Sequence, residues 1–64
     1  MAGREIYFEF TQVGRTVKVT ALDPVTMVEA SIVGPATASQ AQLKQVALKK
    51  LQYVLAKRNA PGDG

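Results

Sequence analysis

Three successive stretches of this chain alternate apolar and polar residues, and then the period changes once. In "EIYFEFTQ", Ile6, Phe8 and Phe10 fall on one side, with Glu5, Tyr7 and Glu9 on the other. "RTVKVTAL" sets Val17, Val19 and Ala21 against Thr16, Lys18 and Thr20. "MVEASIV" sets Val28, Ala30 and Ile32 against Met27, Glu29 and Ser31. A two-residue period rich in β-branched and aromatic side chains belongs to half-buried antiparallel strands, placed here at about 5–12, 15–22 and 27–33. Pairing Phe10 with Val17 and Phe8 with Val19 keeps the apolar sets on one face and leaves Val13-Gly14 at the tip. Pairing Ala21 with Val28 and Val19 with Ala30 leaves Pro24-Val25 at the tip of "DPVT", where Asp then Pro suits a type I turn. In these registers Leu22 faces Met27, and Glu9 pairs with Lys18 across strands.

Gly34-Pro35 ends the third strand, and the apolar spacing lengthens to that of a helix. Thr37 with Gln40, or Ser39 with Gln42, forms a capping box, and Ser39 is the favoured cap. The helix runs over about 40–58, with Asn59 as a left-handed terminator before the Pro and Gly of "APGDG". Leu43, Ala47, Leu48, Leu51, Val54 and Leu55 form one broad stripe suited to covering a sheet. The expected fold class is therefore α+β: a three-stranded antiparallel meander followed by one C-terminal α-helix packed on one sheet face, β-β-β-α, a single small domain over 1–64. Residues 1–3 and 60–64 are expected to be frayed ends.

Sixty-four residues bury only about 60% of the surface that the unfolded chain exposes, and small domains usually add a disulfide, a metal or a partner subunit. With no Cys and no His, the first two are expected to be absent. Self-association is the remaining stabiliser, so a homo-oligomer or another protein is the expected partner.

The same absences remove the commonest general base and the best nucleophile. Ser39 reads as a helix cap, and Lys44 as a side chain with its stem on apolar surface and its head in water. The carboxylates Glu9 and Glu29 share a sheet face with Lys18 between them. No calcium-loop or phosphate-loop spacing is present, and Gly14 and Gly34 read as turn glycines. No catalytic, cofactor-binding or metal-binding residue is expected, no small-molecule substrate, and no enzyme activity. "MAGREIYFEF" has no apolar leader-like core, and no apolar run approaches the ~18 residues of a membrane span, so a cytoplasmic protein without membrane contact is expected.

Two surfaces compete for a binding role. The basic helix segment carries Lys44, Lys49, Lys50, Lys57 and Arg58 with no acid among them. Weak nucleic-acid binding through residues 43–58 is thus the alternative reading. A meander followed by a basic helix resembles the C-terminal half of a double-stranded-RNA-binding domain in topology. Such domains place a lysine cluster at the start of that helix, where this sequence reads "SQAQLKQ". The favoured surface is for protein: Tyr7, Leu22, Met27 and Val33 on the open sheet face, Val46 and Tyr53 on a helix flank, and two free strand edges for β-augmentation.

"FEFTQVGRTVKVTALD", "SIVGP" and the helix pattern "ASQAQL" followed by "AL", "KL" and "YVL" together resemble a family of short alphaproteobacterial proteins of unknown function, over nearly the whole chain. The resemblance implies Thr-Gly after the Asp-Pro turn, where this chain has Thr26-Met27. It brings no catalytic residue, cofactor or ligand with it.

Overall fold

In the computed structural model, which describes residues 5–59, the alternating stretches form strands β1 (Tyr7–Val13), β2 (Thr16–Asp23) and β3 (Val28–Pro35). The helix α1 (Gln40–Asn59) follows. The strands make one antiparallel sheet in the order β1-β2-β3, and the helix lies across one of its faces. The expected β-β-β-α architecture is the one observed. The segments expected to fray, 1–3 and 60–64, lie outside the described residues.

Both hairpin registers differ from the expected ones by two residues. Phe10 stands opposite Val19 and Phe8 opposite Ala21, so Val13 pairs with Thr16 and the tip is Gly14-Arg15. A shift of two preserves every inward and outward face, so periodicity cannot tell the registers apart; turn geometry does. Gly14 has φ 61° while Arg15 does not, which matches a primed hairpin turn with Gly at its first central position. Two bonds hold it: Thr16 Oγ1 donates to the Val13 carbonyl at 3.0 Å, and Gln12 Nε2 to the Gly14 carbonyl at 3.1 Å.

In the second hairpin Ala21 faces Ala30 and Asp23 faces Val28, so the expected two-residue tip becomes a four-residue loop, Pro24 to Met27. Asp23 explains the longer loop. It is fully buried, its carboxylate accepting from the Val25 amide at 2.9 Å and from Thr26 Oγ1 at 3.3 Å. Its carbonyl accepts from the Met27 amide at 2.7 Å, and Thr26 Oγ1 accepts from the Val28 amide at 3.2 Å. These bonds close a wider turn than Asp-Pro alone implies, and Met27 completes it at φ 64°. Leu22 accordingly faces Glu29 and Tyr7 rather than Met27, and Glu9 faces Thr20 rather than Lys18.

The inner face of the sheet meets the helix through a small core of Val19, Ala21, Ala30, Leu43, Ala47 and Leu51. Three alanines at the contact bring backbone and helix close together. Gly34 continues that logic: it lies within β3, and a Cβ added there would sit 2.6 Å from Leu43 Cδ2. It is a packing glycine rather than the turn glycine expected from "GP". Ser39 caps the helix as expected, its Oγ accepting from the Gln42 amide at 3.0 Å.

Candidate interaction surface

The helix is not centred on the sheet. It packs on β3 and β2 and scarcely touches β1. Leu48, one of the six residues of the expected stripe, is left out of the core and faces a groove between α1 and β1. This groove, about 270 Å³, is lined by Phe8, Ala41, Lys44, Gln45 and Leu48. Lys44 leans over its floor, with Nζ 5.0 Å from the centre of the Phe8 ring. Phe8 and Phe10, the largest inward side chains of β1, are consequently only half-buried.

The two edges of the sheet differ. The Ala36 amide donates to the Arg15 carbonyl at 2.9 Å, continuing the β2–β3 ladder. Odd-numbered residues of β2 thus direct their backbone groups toward β3 and even-numbered ones toward β1. In the observed register, Tyr7, Glu9, Thr11 and Val13 bond to β2, while Phe8, Phe10 and Gln12 direct N–H and C=O outward. On β3 the outward set is Glu29, Ser31, Val33 and Pro35. That edge is blunted: Lys50 Nζ donates to the Ser31 carbonyl at 2.8 Å, and Pro35 has no N–H. Among the described residues nothing comparable covers the β1 edge.

The outer sheet face carries no second layer among the described residues. Its rows, read across the strands, are Tyr7–Leu22–Glu29, Glu9–Thr20–Ser31, Thr11–Lys18–Val33 and Val13–Thr16–Pro35. Thr20 and Ser31 join hydroxyls at 2.8 Å. Glu9 and Glu29, expected to stand apart, border one hollow of about 180 Å³ with Tyr7, Thr20 and Leu22.

Of the expected interface residues, Tyr7, Met27, Val33, Val46 and Tyr53 are all exposed, and Leu22 is half-buried beside Tyr7. They do not form one patch. Tyr7 and Leu22 are neighbours, Val33 lies two rows along, and Met27 sits in the loop. Val46 and Tyr53 lie on the helix, on the flank whose Lys50 reaches the β3 edge. Sequence reasoning missed exposed Val13 and Val25, and missed the Phe8–Leu48 groove. The groove comes from the sideways offset of the helix, which no periodicity encodes. Among the expected nucleic-acid contacts, Lys44 is drawn to Phe8 and Lys50 to Ser31. Lys49, Lys57 and Arg58 are exposed at separate positions around the helix.

Among the described residues, a bare-faced three-stranded sheet with one offset helix and one unguarded edge defines a small α+β domain. Residues 3–58 match the family model described as a domain of unknown function (DUF6898), and the chain belongs to that family. No curated protein and no solved structure matches it. No described helix is long and apolar enough to cross a membrane.

Proposed function

We propose that the chain is a non-catalytic, cytoplasmic bacterial accessory domain that works by binding protein, in the first place a second copy of itself. The observation that carries this reading is the incomplete cover of the sheet. The helix protects β3 and β2, while β1 keeps an outward backbone edge, a half-buried Phe8 and Phe10, and exposed Tyr7 and Val13. Surface of this kind is stabilised by a partner. The core is small for a chain of 64 residues, and self-association adds the burial that a single copy lacks.

Weak nucleic-acid binding through the helix is the second reading, and the exposed Lys49, Lys57 and Arg58 support it. Two of the five candidate cations are already engaged within the chain, which favours the protein reading. Sedimentation velocity over a wide concentration range separates the two. We expect a mass above the 6.9 kDa of one chain, rising with concentration and nearly unchanged between low and moderate salt. A 6.9 kDa species at millimolar concentration, joined to a steeply salt-dependent shift on adding duplex or single-stranded nucleic acid, would overturn it in favour of the helix.

A further inference from the structure

Building on that reading, we infer that two copies join edge to edge through β1, antiparallel about a twofold axis at Phe10, to make one continuous six-stranded sheet with both helices on the same side. The outward backbone groups of Phe8, Phe10 and Gln12 are the free ladder, and a second β1 supplies the matching one. An even register sum keeps inward residues beside inward residues, so only registers centred on a residue keep both helices on one side. Centring on Glu9 would set two carboxylates against each other. Centring on Phe10 uses the whole strand: Tyr7 meets the partner's Val13, Phe8 its Gln12, Glu9 its Thr11, and the two Phe10 meet each other.

Charge fits the same register. Thr11 lies between Glu9 of the other copy and Lys18 of its own, so each Glu9 has a Lys18 two strands away, roughly 10 Å between backbones and within reach of two long side chains. Exposed Tyr7 and Val13 cover one another on the outer face. On the inner face the two half-buried Phe10 rings become neighbours, and the two grooves join into one trough between the helices. The second edge cannot compete, because Lys50 and Pro35 already blunt β3.

The chain has no cysteine, which makes disulfide trapping clean. Glu9→Cys and Thr11→Cys chains, both changed at exposed positions, are mixed in a glutathione buffer. The expected product is the mixed Glu9→Cys/Thr11→Cys dimer in at least about tenfold excess over either like-with-like dimer, because facing residues of a wide pair bring their Cβ atoms to roughly 4.5–5.5 Å. A Val33→Cys control is expected to cross-link only at background. Dominance of the Glu9→Cys homodimer, or no trapping above the control, overturns the proposal. If sedimentation still shows a dimer in that case, self-association stands and only the β1 edge is refuted. Gln12→Pro provides the second arm, since its amide points outward and proline is tolerated on such an edge. Circular dichroism is expected to be unchanged, and the dimer dissociation constant to rise on the order of a hundredfold, two inter-chain bonds being lost by symmetry. A folded Gln12→Pro chain that dimerises as before contradicts the inference.

Discussion

Met27 occupies the left-handed region at φ 64°, in the loop position where the family resemblance implies glycine. A side chain there crowds the following carbonyl by about 1–2 kcal/mol, part of which glycine returns as extra freedom in the unfolded chain. Met27→Gly is therefore expected to stabilise the fold by about 1 kcal/mol, read as a rise of several degrees in Tm. An unchanged or lower Tm would show that the exposed methionine side chain makes stabilising contacts of its own. Asp23 shows the opposite case, a charged residue fully buried because the loop is built around it. Asp23→Ala leaves the Val25 amide and the Thr26 hydroxyl without their acceptor, and is expected to cost about 2–3 kcal/mol in urea unfolding. Asp23→Asn keeps one acceptor oxygen and should cost clearly less. The sequence displays Asp23-Pro24 plainly as a turn signal. It does not display that the carboxylate bridges two further residues, because that depends on side-chain placement.

At the scale of elements, three strands and a helix were legible because periodicity reports which face each residue takes. Register was not. Shifting Phe8 from Val19 to Ala21 exposes no apolar residue, so only the turn chemistry at Gly14 and Asp23 distinguishes the alternatives: the first tip lies one residue later than expected, and the second loop is two residues longer. The cap at Ser39 was legible because it is a local bond. The meaning of Gly34 was not, because its neighbour Leu43 comes from another element. Gly34→Ala is expected to cost about 1–3 kcal/mol through overpacking against Leu43, measured by chemical denaturation. Combining it with Leu43→Ala should cost less than the sum of the two single changes, since the clash vanishes with the leucine. Strict additivity would mean that the two sites do not interact.

At the scale of the whole molecule, the offset of the helix unites the remaining features. Covering β3 and β2 closes one edge through Lys50 and leaves β1 with its aromatic residues half-protected. Alternation places Tyr7, Leu22 and Val33 on the outer sheet face, where Tyr7 and Val33 are exposed and Leu22 is half-buried. That the expected interface residues scatter over sheet, loop and helix, while β1 and its groove form the continuous uncovered region, follows from how the layers are stacked. The basic residues that open the nucleic-acid reading are partly spent on contacts within the chain, Lys44 over Phe8 and Lys50 at Ser31.

Amide hydrogen exchange as a function of protein concentration tests this account most directly. Tyr7, Glu9, Thr11 and Val13 bond within the hairpin, so their amides should be protected at every concentration. Phe8, Phe10 and Gln12 point outward, so their amides should exchange freely in dilute solution and become protected as the concentration rises. Protection of those three that never appears, while sedimentation shows an oligomer or the exposed helix residues respond instead, would contradict it.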